Sequence, residues 1–325
     1  MNGVIIIDKP SGWTSHDVVN RMRRILQQRS VGHLGTLDPL ATGVLPLVTG
    51  SLTRLAQFYI ASEKTYEGVI RFGFATDTYD ADGEPLGEVR SVTPSLDSLQ
   101  KLAAEFRGLI DQVPPPFSAK KIQGIPAYKL ARRQKEVILK AVPIEIKDFN
   151  ITAVEADRAQ FRARVSSGTY MRSIAHEMGQ RLGCGAHLES LRRTSVAEFD
   201  ISQAHTFEQI EAQGKGSDVQ QSVTEWGGHS CPPVSPPPMP ARESQRLPGM
   251  DALFIHPRQL LPQLPAVTAD EPTAARIRSG RPVNLPELSR ARQVKVFCGQ
   301  ADLLAIATRV AGSLFHPKIV FPSDD

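Results

Sequence analysis

The chain has 325 residues, 41% hydrophobic and 22% charged, enough to bury a sizeable core as one large or two ordinary domains. No run approaches the length of a membrane span, the N-terminal apolar run is too short for a signal sequence, and Cys184, Cys231 and Cys298 are too scattered for a disulfide framework or a zinc site. A cytoplasmic protein without a membrane partner is expected, and a net charge of +4 permits a polyanionic partner without demanding one.

Residues 3–7 read as a buried strand, ended by the turn Lys9-Pro10-Ser11-Gly12. Ser15 is the expected N-cap of an amphipathic helix over 16–28, with Asp17 in its first turn and Val18, Met22, Ile25 and Leu26 on one face. The stretch around which the chain is organised follows, VGHLGTLDPLATGVLPLVTG at 31–50, with one carboxylate, Asp38, at its centre. Gly32, Gly35 and Gly43 permit positive φ, and Pro39 keeps Asp38 out of the helical region. Residues 44–48 read as a buried strand or short helix that anchors the loop. A lone acid on a stiff, Gly-flanked loop suits close approach of a substrate; Asp38-Pro39 also suits a simple tight turn.

Residues 64–75 alternate as a strand, 77–83 form a polar turn, and Ser95 caps a helix running to Phe106. After Pro114-Pro115-Pro116, residues 117–140 are strongly basic with interleaved Phe117 and Tyr128, which suits phosphate neutralisation with base stacking, or a helical hairpin packed on the body. Segments 144–154 and 159–166 read as an antiparallel pair joined near Ala156-Asp157, 173–182 as a helix stopped by Gly183, and 187–201 as a loop and strand. Residues 213–249, rich in Pro, Gly and Ser, read as a disordered insertion. Helical spacing resumes over 251–261, and from Pro265 a small module follows, with a short helix (Ala274, Ala275, Ile277) and strands at 293–297, 303–310 and 318–321. Basic residues gather at 21–29, 120–140, 192–193 and 276–292 and acidic ones at 63–88; each cluster reads most simply as a solvated face.

The stretches GVIIIDKPSGWTSHDVV, GHLGTLDPLATGVLPL (32–47), EKTYEGVIRFGFATDTYDADGE (63–84), PPPFSAKKIQGIPAYKLAR (114–132), SSGTYMRSIAHEMGQRLGCGAHLESLRR (166–193) and SGRPV (279–283) stand in one order. In that order they resemble the TruB family, the bacterial tRNA pseudouridine-55 synthases, and they span nearly the whole chain except 213–249. The resemblance implies an α+β fold. A pseudouridine-synthase core over 1–263 would be built on a mixed, mostly antiparallel sheet with flanking helices. An RNA-gripping thumb is implied at about 114–142, where Gln134 departs from the Gly common in the family, and a small, mostly-β PUA-like RNA-binding domain over 264–325. The implied reaction is isomerisation of one uridine, position 55 in the T loop of tRNA, to pseudouridine, by a monomer that needs no cofactor and no metal.

Residue by residue, Asp38 matches the family's catalytic aspartate. A carboxylate can act as nucleophile or base, at the sugar C1′, at the base C6, or on a ribose proton. Arg172 matches the arginine that pairs with it, and a bidentate pair would hold the carboxylate ionised. Tyr66 matches the tyrosine that stacks on the target base and helps deprotonate C5, and Tyr170 a second pocket residue at the uracil edge. Leu191 matches a pocket wall, and His33 the histidine that helps turn the uridine out of its loop. Lys64 contacts phosphate or supports the pocket. Two other readings compete. An RNA-binding or RNA-folding module would not require the carboxylate. A carboxylate glycosidase would need a second acid, and none in the matched motifs stands out.

Overall fold

The computed structural model describes residues 2–118, 120–122, 124–127, 139–214, 250–286 and 290–322. The centre of the expected thumb (128–138, with Gln134) and the expected insertion from 215 to 249 lie outside the described residues.

The fold is α+β and contains two large sheets. The larger has ten strands, running Phe254–Ile255, Gly3–Lys9, Thr42–Thr49, Ala186–Val196, Lys64–Phe72, Arg158–Val165, Val142–Glu155 and Gly108–Gln112, with Val31–His33 added to Thr42–Thr49 and Phe199–Asp200 to Ala186–Val196. Its strands pair antiparallel except at one seam, where Thr42–Thr49 meets Ala186–Val196 in parallel through Arg192↔Thr42 and Arg193↔Gly43. The apolar run in Gly3–Lys9 is buried on both sides. Ile5 and Ile7 face a core under the helices, while Val4 and Ile6 face a second core on the opposite side. Leu45 and Leu47 against Val44 and Val48 repeat this alternation in Thr42–Thr49, which settles residues 44–48 as a strand. Helices Ser15–Ile25, Leu96–Glu105 and Met171–Arg181 supply Val18, Met22, Leu99, Leu102, Ile174 and Met178 to the first core.

The smaller sheet runs Ala266–Ala269, Gln293–Cys298, Asp302–Ala311, Leu314–Val320 and Val283–Asn284, with helix Glu271–Arg278 against it. Ala266–Ala269 and Val283–Asn284 are too short to show a period in the sequence. Phe297, Leu303, Ile306, Ile319 and Phe321 from this module join Val4, Ile6, Val44 and Val48 in the second core.

Several local expectations are corrected. The first helix is capped by Thr14, which forms a capping box with Asp17, and Ser15 is buried at the first helical position. Residues 251–261 form no α-helix. Single turns Met250–Leu253 and Pro257–Gln259 flank a short strand that extends the sheet edge, because Pro257 ends any helical run and Phe254–Ile255 pairs with Gly3–Lys9. Gly32 lies in a regular strand, whereas Gly35 and Gly43 have φ of 142° and 98°. Arg192 and Arg193 occupy no solvated helix face; they sit on the strand Ala186–Val196, and Arg193 is 1% exposed.

Candidate active site

The loop between Val31–His33 and Thr42–Thr49 is held by its backbone. The Ser15 hydroxyl accepts the Leu37 N–H at 2.8 Å and donates to the Leu37 carbonyl at 3.1 Å. The Pro39 carbonyl accepts from the Gly12 N–H at 2.9 Å and from the Lys9 ammonium at 3.1 Å. Asp38 is therefore clamped on both sides, with its own carbonyl accepting the Ala41 N–H at 3.1 Å. Its side chain is 38% exposed.

Helix Met171–Arg181 delivers Arg172, whose Nε lies 2.9 Å from Asp38 Oδ2. The pair is not bidentate. Nη1 donates to the Thr78 carbonyl at 3.0 Å and lies 3.4 Å from Asp80 Oδ2, while Nη2 donates to the Phe117 carbonyl at 3.1 Å. The Nε–Asp38 contact is an ion pair without hydrogen-bond alignment, since Nε has no aligned acceptor. Arg172 thus bridges two carboxylates, and the second, Asp80, lies inside the matched stretch 63–84, where no acid had stood out. Asp80 is buried and accepts the Thr78 hydroxyl at 2.5 Å and the Asp82 N–H at 3.2 Å. Burial pushes its carboxyl up from the usual range, Thr78 and Arg172 pull it down, and the neighbouring Asp38 and Asp82 add to the rise. The adjacent Tyr79, at φ 66°, stacks on His176 with centroids 3.7 Å apart, fastening the turn to the helix that carries Arg172.

Tyr170 precedes that helix. Its N–H donates to Gln112 Oε1 at 2.8 Å and its carbonyl accepts from Gln112 Nε2 at 3.1 Å, so a buried glutamine at the end of Gly108–Gln112 brackets it. The phenol is pushed up by burial, eased by Ser118, pushed up further by Asp38 and eased by Arg172, which places it within the field of both groups. Asp38, Arg172 and Tyr170 are thereby brought together.

Tyr66, on the strand Lys64–Phe72, is buried and sits opposite Arg193 in the strand register; its phenol interacts with the Arg193 guanidinium. Leu191 is buried on the same central strand, and its carbonyl receives the Thr42 hydroxyl at 3.5 Å. His33 is half-buried, with Nδ1 accepting the Gly35 N–H at 3.3 Å; burial first, then Arg193 and His16, lower its pKa, so the ring is neutral. The Lys64 ammonium turns inward and donates to the Ser62 carbonyl at 2.6 Å. Lys9 donates to the Pro10, Trp13 and Pro39 carbonyls. Desolvation, ahead of the nearby Arg193, lowers Lys64 to about 8; Lys9 reaches about 8 by desolvation, partly offset by Asp38.

Sequence reasoning missed Lys9, Ser15, Asp80, Gln112 and Arg193. Asp80 returns the turn 77–83 to the sheet at the bridge Asp80↔Leu188, a pairing that no local pattern in the sequence marks.

Residues 23–171 match the TruB family pseudouridylate synthase (N terminal domain) and residues 172–222 the tRNA pseudouridylate synthase B C-terminal domain. The chain is 46% identical over 324 residues to "tRNA pseudouridine synthase B" of Solibacter usitatus, covering 98% of this chain and 100% of that protein. It is 35% identical to the protein of the same name from an Azoarcus species, covering 98% of this chain and 95% of that one. Its fold is similar to a chain in "Structure of H/ACA RNP bound to a substrate RNA containing 2'-deoxyuridine", with a TM-score of 0.66 and 21% identity, covering 99% of this chain and 86% of that one. The order of motifs, the two family models and the length of the matches to these relatives agree: the chain belongs to the TruB family of pseudouridylate synthases.

Proposed function

We propose that this enzyme isomerises the uridine at position 55 in the T loop of tRNA to pseudouridine, with Asp38 as the nucleophile. One observation carries the assignment to Asp38: in the charge cluster centred on Arg172, the Asp38 side chain is 38% exposed, against 7% for Asp80 and 6% for Arg172. The arrangement is a buried guanidinium that presents one carboxylate to an incoming nucleoside.

The chemistry needs little else. The C1′–N1 bond breaks, the uracil turns, and a C1′–C5 bond forms; C5 gives up one proton and N1 gains one, with no change of oxidation state. A carboxylate that bonds transiently to the sugar or the base and then leaves satisfies this balance. Tyr66 and Tyr170 supply aromatic walls with one polar atom each, Leu191 closes the apolar side, and Tyr66 helps in the removal of the C5 proton, which leaves the site as N1 takes one up. His33, neutral and at the start of the loop, occupies the stack that the extruded nucleotide vacates. Arg172 and Asp80 hold Asp38 in place. The basic stretch at about 114–142 grips the T-arm backbone, and the module from 264 adds a PUA-like contact to RNA. We take the working form to be a cytoplasmic monomer.

The test is Asp38→Asn on a T-arm stem-loop. Pseudouridine formation falls by at least ~10³-fold, as for loss of a nucleophile, while RNA affinity stays within about threefold of wild type. Turnover at the wild-type rate would remove Asp38 from the mechanism, and a protein that binds and refolds tRNA without forming pseudouridine would favour the RNA-folding reading.

A further inference from the structure

Arg193 is the largest fully buried side chain among the described residues, and nothing in the proposed chemistry uses it. Among the described residues no carboxylate lies within ion-pair distance of it. Its three nitrogens go to backbone instead: Nε donates to the Val44 carbonyl at 2.8 Å, Nη1 to the Thr36 carbonyl at 3.2 Å and Nη2 to the Gly35 carbonyl at 3.0 Å. The Tyr66 phenol completes its surroundings. In the backbone register the same residue faces Gly43 across the parallel seam and Tyr66 across the antiparallel one.

A buried cation without a counter-ion is costly, and an apolar side chain of similar volume would fill this space without that cost. Packing alone therefore does not account for a guanidinium here. What the guanidinium does, and a leucine cannot, is reach carbonyls on both sides of the Asp38 loop and a phenol on the next strand at the same time. The planar fork fits this arrangement, because its donors diverge in fixed directions; a lysine presents one point of charge.

We propose that Arg193 is a positioning residue that locks the two walls of the uracil slot together: the turn at Gly35 and Thr36 that leads to Asp38, and the Tyr66 phenol. The inference rests on the proposed roles of Asp38 and Tyr66. Arg193 touches no reacting atom. It fixes how far the nucleophile stands from the aromatic face against which the base turns, and small errors in such a spacing cost rate steeply.

Arg193→Lys and Arg193→Gln, each with the full chain and a T-arm stem-loop, test this. The expected result is a folded protein whose RNA affinity stays within about threefold of wild type and whose kcat falls by about 10²-fold, less for Lys than for Gln. A second readout is the alkaline limb of the pH–rate profile. Lys9, faced by Asp38, Arg193 and Asp17, and Lys64, faced by Arg193, lie near 8. Removing the Arg193 charge in Arg193→Gln moves that limb to higher pH. A folded variant with kcat within twofold of wild type overturns the proposal, as does an equal loss of kcat and RNA affinity. If neither variant folds, Arg193 belongs to the sheet and the proposal also fails. Failure here beside an inactive Asp38→Asn sinks only this inference; an active Asp38→Asn sinks the reading beneath it.

Discussion

Asp38 owes its position to side chains that grip the backbone on either side of it; one of these, Lys9, carries a charge near its titration point, as does Lys64 at the Ser62 carbonyl. Lys9 and Lys64 are lowered from 10.5 to about 8, chiefly by desolvation. Below that pH the Lys9 ammonium has three N–H groups for the Pro10, Trp13 and Pro39 carbonyls; above it the neutral amine has two, and one carbonyl is left without its donor. Activity is therefore expected to fall as pH rises through about 8, measured as single-turnover rate from about pH 6.5 to 9.5. Stability carries the opposite sign. With the folded pKa below the unfolded one, the native state binds fewer protons than the unfolded chain between 8 and 10.5, so these two lysines raise stability with pH in that window. Urea melts at about pH 7.5 and 9 separate the two effects, and a parallel decline of rate and stability would refute the assignment. Arg172 does meet Asp38, and those two with Tyr66 and Tyr170 were nameable from the sequence through the family resemblance. Lys9, Ser15, Gln112 and Arg193 were not, because they bind main-chain atoms 22 to 158 residues away, and no local pattern encodes such a partner.

At the scale of elements, the parallel seam decides the site. Gly43 has φ 98°, and a Cβ there would stand 2.2 Å from the Arg193 carbonyl oxygen. Gly43→Ala is expected to cost at least ~3 kcal/mol and much of the activity, since strain and collision add. Gly280→Ala is the control. Its φ is 74° with nothing within 4 Å of the added carbon, so the cost is conformational only, ~1–2 kcal/mol, with activity retained. Thermal melts of the two variants side by side read the difference; equal losses would show that the close approach at Gly43 does not matter. The sequence was readable wherever one element carried its own period: the helix ending at Ile25, the helix Leu96–Glu105, and the pair Val142–Glu155 with Arg158–Val165 all lie where apolar spacing put them. It was misleading at 251–261, where sheet pairing outweighed an apparent helical period, and at Arg193, whose charge suggested solvent. Arg192, partly exposed, is bound bidentate to Asp8, at 3.0 and 2.7 Å.

Over the whole molecule, the two sheets share a core. Tyr59, 1% exposed, donates to Glu198 at 2.6 Å and accepts the Leu261 N–H at 3.2 Å, tying the larger sheet to the chain that enters the smaller module. Burial, then the neighbouring Glu198, pushes the phenol well above its ordinary range. Tyr59→Phe is expected to lower stability by ~1–3 kcal/mol, as for an unmade buried hydrogen bond, and to leave a single unfolding transition in calorimetry. Two separate transitions would show that the proposed division near 263 is also an energetic one. The two family matches meet at residues 171 and 172, inside the helix Met171–Arg181, so that junction marks no break in the structure. Arg192 reaches Thr42 across 150 residues of chain, and this spacing bears on how the protein is made. As the polypeptide leaves the ribosome, the acid emerges long before either guanidinium that organises it. A nascent chain cut short before residue 171 carries the carboxylate without either guanidinium, and the set is complete only when the last strand of the seam is laid between two that precede it in the chain.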